Sequence, residues 1–166
     1  IFAGETNIGK SIFLANIAVN ICEQDKTVLL VSLEMPEMIY ARRVSSDVTK
    51  IPMNELHMRT DELREQLNVY KQNNSNSKLL IKEFPPSTIT CNHLKAFIKK
   101  IVDQGVKLDM IVIDYVNLLR STYNGNSYER IKDNTEQLRA LSYVFKCPIV
   151  TATQLNRSGY DEVNPG

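Results

Sequence analysis

An α/β domain built on a mostly parallel, doubly wound sheet with helices on both faces is the fold this sequence predicts, and three observations predict it. Apolar, β-branched runs recur along the chain, helical periodicities separate them, and a glycine-rich phosphate-loop pattern sits where the first run meets the first helix. The runs are Thr27 to Leu33 (TVLLVSL), Lys78 to Phe84 (KLLIKEF), Met110 to Tyr115 (MIVIDY) and Pro148 to Thr153 (PIVTAT), with Ile1 to Ala3 as the tail of a fifth strand. The Met110 and Pro148 runs are continuous rather than alternating, as in strands covered on both faces.

The first helix follows Lys10, with Ile12, Ala15, Ile17, Ala18 and Ile21 along one face. Glu37 to Val48 predicts a helix with Pro36 at its start, and Glu62 to Gln72 a shorter one. Leu94, Phe97, Ile98, Ile101 and Val102 mark the next, closed by Gly105, and Ile131, Leu138, Leu141, Val144 and Phe145 mark the last. Asn73 to Ser77 (NNSNS) reads as a turn and Ser121 to Ser127 (STYNGNS) as a surface loop.

The 166 residues, 43% apolar and 23% charged, describe one soluble domain over 1–166. The chain opens at Ile1 without Met and ends in a polar stretch at Asn164-Pro165-Gly166, so the domain is expected to be incomplete at both ends. No apolar run approaches the ~18 residues of a membrane span, which predicts a cytoplasmic protein with no membrane partner. Cys22, Cys91 and Cys147 are odd in number and far apart, fitting buried thiols rather than disulfides or zinc ligands. With 20 Lys and Arg against 19 Asp and Glu, any contact with nucleic acid must be local.

Gly4-Glu5-Thr6-Asn7-Ile8-Gly9-Lys10-Ser11 fits GxxxxGK[ST], after a strand tail and before an amphipathic helix. Glycines let such a loop curl until its backbone N–H groups face phosphate, and the helix adds its positive end. That reading makes Gly4, Thr6, Asn7, Ile8, Gly9, Lys10 and Ser11 nucleotide-contacting residues, with Lys10 on the β- and γ-phosphates and the Ser11 hydroxyl on Mg2+. A chance match somewhere in such a chain is about 0.5–1%.

Three more polar residues end predicted strands, where open α/β sheets bind ligands. Asp114 suits Mg2+ binding, Glu34 suits the water that attacks the γ-phosphate, and Gln154 suits a phosphate-sensing amide. The plainer readings are a turn cap, a helix-dipole partner and a turn-stabilising amide. Together they supply phosphate grip, metal, attacking water and sensor at one sheet edge, the set that nucleoside triphosphate hydrolysis needs. The segment Arg120 to Arg130 (RSTYNGNSYER) has the composition of a single-strand-binding loop and equally of an ordinary mobile loop, an ambiguity Arg157 shares. His57 and His93 lack partners at ligand spacing and read as structural, and Arg42-Arg43 as a solvated helix face.

GETNIGKS at Gly4 to Ser11, SLEMPE at Ser32 to Glu37, IVIDYVNLL at Ile111 to Leu119 and TQLNRSG at Thr153 to Gly159 together resemble the RecA-like ATPase domain of DnaB-class replicative DNA helicases, in the version carried by tailed phages. The resemblance implies an ATP-hydrolysing motor that works as a homo-hexamer, threads single-stranded DNA 5′ to 3′ and unwinds the fork, in the host cytoplasm if phage-encoded. It implies ATP and Mg2+ as cofactors, Lys10 and Ser11 on phosphate and metal, Asp114 as the second metal-site residue, Glu34 as catalytic base, and Gln154 as the link from γ-phosphate to DNA. It places Arg43 near the nucleotide base, and Arg120, Tyr123, Asn124, Tyr128, Arg130 and Arg157 toward DNA. An arginine finger from the neighbouring subunit, a primase and a helicase loader belong to the same expectation. A recombinase or clock-type ATPase without unwinding activity is the alternative; a small-metabolite kinase and a binding-only module are disfavoured, the first for want of an Arg-rich lid.

Overall fold

The computed structural model describes residues 1–5 and 7–154. Its elements run β1 (Phe2–Gly4), α1 (Lys10–Cys22), β2 (Thr27–Ser32), α2 (Glu37–Thr49), α3 (Thr60–Asn73), β3 (Lys78–Glu83), α4 (Cys91–Asp103), β4 (Met110–Asp114), α5 (Ser127–Phe145) and β5 (Ile149–Gln154), with a 3-10 turn at Val116–Leu118. Every expected strand and helix is present, with ends shifted by a few residues. The largest shift is at the last helix, which starts at Ser127 because Asn126 and Glu129 form a capping box there. Tyr128 and Arg130, read from the sequence as part of a loop, are therefore in the first turn of α5.

The five strands form one sheet in the order β1-β5-β4-β2-β3, and every pairing is parallel. Side chains alternate across it. Leu29, Val31, Leu33, Ile111 and Ile113 pack with Leu94, Ile98, Leu138 and Leu141 of α4 and α5. Val28, Leu30, Val112 and Ala152 pack on the other face with Leu14, Ala15 and Ala18 of α1 and with Tyr40 of α2. Two covered faces account for the unbroken apolar runs of β2 and β4. The Pro148 run does not share that environment fully, because β5 has half-buried residues at both its ends.

Cys22, Cys91 and Cys147 are buried free thiols, and burial pushes all three pKa values up, to about 11 for Cys22, about 12 for Cys91 and about 11 for Cys147. His93 completes a capping box with Thr90 at the start of α4, so its role is structural. No helix among the described residues is long and apolar enough to cross a membrane.

The entry to the central strands is tied by Asp109. Its carboxylate accepts from the Thr27 amide at 3.0 Å while its own amide donates to the Thr27 carbonyl at 2.8 Å. The Thr27 amide, aided by Lys107 and Lys26, holds the Asp109 carboxyl below the usual carboxylate range. A depressed carboxyl pKa stabilises the fold above its unfolded value, and that gain is lost as pH falls through the folded one. Asp109→Ala is expected to cost about 1 kcal/mol near neutral pH, with the melting-temperature gap to the parent shrinking as the buffer is acidified below pH ~4.

Candidate nucleotide-binding site

With every strand parallel, the carboxyl ends share one edge, and β5 lies between β1 and β4. Gly4 is in register with Gln154, and Ser32 with Asp114. The sheet alone therefore brings the phosphate loop, Gln154, Asp114 and the start of the Glu34 turn to one line. An open cavity of about 240 Å³ lies there, lined by Asn7, Gly9, Lys10, Ser11, Ile12, Glu34, Met35, Arg43, Tyr115 and Gln154.

The loop takes the shape its glycines allow. Gly9 sits at φ +88°, a left-handed conformation that side-chain-bearing residues rarely adopt, and a Cβ on Gly4 would collide with the end of Ile8. Asn7 is also left-handed, at φ 63°. Among the described residues no side chain caps the N-terminus of α1, α2 or α3, whereas α4 and α5 carry capping boxes. Lys10 Nζ donates to the Gly4 carbonyl at 3.0 Å and to the Glu5 carbonyl, and stands 5.9 Å above the centre of the Tyr115 ring. Ile8 is largely exposed and lines an adjoining apolar hollow with Phe2 and Phe13 rather than this cavity. Thr6 lies outside the described residues.

Glu34 is exposed on a turn held from two directions. The Met35 amide donates to Ser32 Oγ at 3.0 Å, Ser32 Oγ donates to the Met35 carbonyl at 2.6 Å, and the Leu33 amide donates to the Asp114 carbonyl at 2.7 Å. Behind the turn, Glu37 accepts from Lys82 at 2.9 Å and from the Glu83 amide at 2.8 Å, anchoring α2 to the end of β3. The Glu83 amide first and Lys82 second hold the Glu37 carboxyl below the usual range.

Asp114 is fully buried, and its Oδ2 accepts a hydrogen bond from the hydroxyl of Tyr40, itself fully buried. Burial first and the Asp114 charge second drive the Tyr40 phenol far up, while the Ser11 side chain acts on the same hydroxyl in the opposite sense. Asp114 Oδ1 has no hydrogen-bond partner among the described residues. A hydrated divalent cation fits this arrangement, because a buried carboxylate oxygen without a donor is costly and a metal-bound water supplies one. An anionic ligand fits equally: Lys10 and Arg43 line the cavity, and Arg43 Nη1 is buried without a partner among the described residues. Arg43 is thus no solvated helix face.

Tyr115 and Asn117 are the residues that sequence reasoning missed on this edge, along with Tyr40. The Tyr115 hydroxyl donates to Gln154 Oε1 at 3.0 Å, and burial followed by the Glu34 and Asp114 charges raises its pKa. Asn117 Oδ1 accepts from Thr153 Oγ1 at 2.8 Å and from the Gln154 amide at 3.3 Å. Asn117 also lines a second cavity, of about 680 Å³, with Arg120, Tyr123, Asn124 and Arg130. Asn134 closes that cavity from α5 by donating to the Leu119 carbonyl at 3.0 Å. Tyr128, 75% exposed, is not part of its lining, and Arg157 lies outside the described residues. No spacing rule flags Tyr40, Tyr115 or Asn117, since only their tertiary partners set them apart from ordinary core and turn residues.

Comparison with known proteins follows the same lines. The DnaB-like replicative helicase of Enterobacteria phage T4 is 23% identical over 93% of this chain and 34% of its own length. The replicative DNA helicase DnaB of Haemophilus influenzae is 30% identical over 95% of this chain and 35% of its own. The chain thus spans about a third of the length of these relatives. A solved ATPase domain superposes with a TM-score of 0.80 at 21% identity, over 95% of this chain and 57% of that one. A DnaB-like replicative helicase, solved in a study of its interactions with primase, gives 0.78 at 21%, over 95% of this chain and 39% of that one. These two likenesses establish a shared fold. The family described as the DnaB-like helicase C-terminal domain matches residues 1–164, and it is to this family that the chain belongs.

Proposed function

We infer that the chain is the ATP-hydrolysing motor of a replicative DNA helicase, acting as a six-subunit ring that moves 5′ to 3′ on single-stranded DNA and unwinds the fork. The observation that carries this reading is the meeting of Lys10, Ser11, Glu34 and Gln154 on one cavity, with Asp114 buried behind it, in a chain of the DnaB-like family. The recombinase or clock-type alternative has no observation in its favour, since the relatives described above are replicative helicases. A primase and a loader are the proposed protein partners, and the cytoplasm, of the host cell if the gene is phage-borne, the proposed setting.

In this reading the N–H groups of the phosphate loop and α1 cradle the phosphates, and Lys10 leaves its loop carbonyls for the β- and γ-phosphates. Ser11 and Asp114 hold Mg2+, which screens phosphate charge when bound. Glu34, exposed on its braced turn, orients and deprotonates the attacking water. Gln154 senses the γ-phosphate, and Asn117 ties its backbone to the cavity lined by Arg120, Tyr123, Asn124 and Arg130, the proposed contact with single-stranded DNA. Arg43, on the lining of the same cavity, stands near the nucleotide base in this reading.

Two measurements test this on the full-length protein. Glu34→Gln is expected to lower steady-state ATP hydrolysis by about 10²-fold or more with nucleotide affinity kept; unchanged turnover would remove Glu34 from the chemistry. Asn117→Ala is expected to lower the ratio of DNA-stimulated to DNA-free turnover about fivefold, the equivalent of roughly 1 kcal/mol of lost hydrogen bonding. An unchanged ratio would show that coupling runs elsewhere, and hydrolysis indifferent to DNA in the parent protein would sink the helicase reading while leaving the ATPase.

A further inference from the structure

We propose that Tyr40 is a positioning residue for the metal, its buried hydroxyl fixing the Asp114 carboxylate so that one oxygen is spoken for and the other is left to a hydrated divalent cation. The inference rests on the nucleotide-site reading above and names a residue that neither the phosphate-loop pattern nor the strand-end carboxylates point to.

The geometry is specific. Tyr40 lies on α2, on the opposite side of the Glu34 turn from β2, and its ring is part of the core that α1 packs onto the sheet, with no solvent exposure. A tyrosine in that position serves packing no better than phenylalanine unless its hydroxyl finds a partner, and here it donates to Asp114 Oδ2. Asp114 is itself fully buried at the end of the central strand β4, so neither of its oxygens can be satisfied by bulk water. The bond from Tyr40 satisfies Oδ2 and removes the carboxylate's freedom to rotate, leaving Oδ1 as the atom without a partner among the described residues. Outer partners that orient a ligating carboxylate commonly contribute 10- to 100-fold to metal affinity. Tyr40 also joins α2, which begins just after the Glu34 turn, to the metal side of the site, so one residue registers both halves of the chemistry.

The test is Tyr40→Phe in the full-length protein, which keeps the ring and removes only the hydroxyl. Binding of a fluorescent ADP analogue is followed first in EDTA and then as a function of MgCl2. The proposal expects binding in EDTA within twofold of the parent and a Mg2+ half-saturation raised about tenfold. Superimposable Mg2+ curves would overturn it, as would an equal loss of binding in EDTA, which would mark Tyr40 as general scaffolding. The double variant with Asp114→Asn supplies a second reading. If Tyr40 acts through Asp114, Tyr40→Phe adds no further Mg2+ shift in that background, whereas a full additive shift would overturn the proposal. A parent protein whose nucleotide binding ignores Mg2+ altogether would instead remove the metal-site reading itself, an outcome separable from the failure of Tyr40 alone.

Discussion

Because all five strands run the same way, every return between neighbours must cross a face of the sheet, and every carboxyl end must emerge at the same edge. The site depends on that constraint. The strand order inserts β5 between β1 and β4, so Gln154 stands beside Gly4 in register rather than across the molecule from it. The crossovers cover both faces with helices, which buries β4 and with it Asp114. A carboxylate in that position cannot rely on water; Tyr40 supplies a donor to Oδ2, and Oδ1 has no partner among the described residues.

Polar groups around the cavity divide by how firmly they are held. Asp114, Tyr40, Asn117 and Gln154 are tied to one another and to strand ends by side-chain hydrogen bonds, so this side of the cavity is firmly held. Glu34 is exposed, but its turn is pinned by Ser32, by the Asp114 carbonyl and by the Glu37 bridge to Lys82 and Glu83. Such an arrangement leaves a carboxylate free to meet water while its backbone stays fixed, which is what preorganised chemistry requires. Lys10, by contrast, is held only by two backbone carbonyls, that of buried Gly4 and that of exposed Glu5.

Much of this was legible beforehand, for reasons visible in particular residues. The runs at Thr27, Lys78, Met110 and Pro148 announced strands because β-branched and apolar side chains fit a covered sheet. The phosphate loop announced itself because Gly9 must adopt a left-handed φ and Lys10 and Ser11 have no structural reason to follow it. Asp114, Glu34 and Gln154 were readable as strand-end groups, and the structure brings them together. The start of α5 was misplaced because an Asn-Gly-Asn-Ser stretch reads as loop until its capping box is seen. Arg43 looked like a solvated charge because a sequence carries no record of which side of a helix faces a cavity.

Sequence by itself determined the element order, the chemistry of the phosphate loop and the identity of the strand-end polar groups, because these depend on residue type and local spacing. Only the tertiary structure decided which groups touch. Tyr40 meets Asp114 from 74 positions away, and Tyr115 meets Gln154 from 39. Those contacts come from how two crossovers pack on one sheet, and packing across such separations is set by shape and burial over the whole domain rather than by any local pattern.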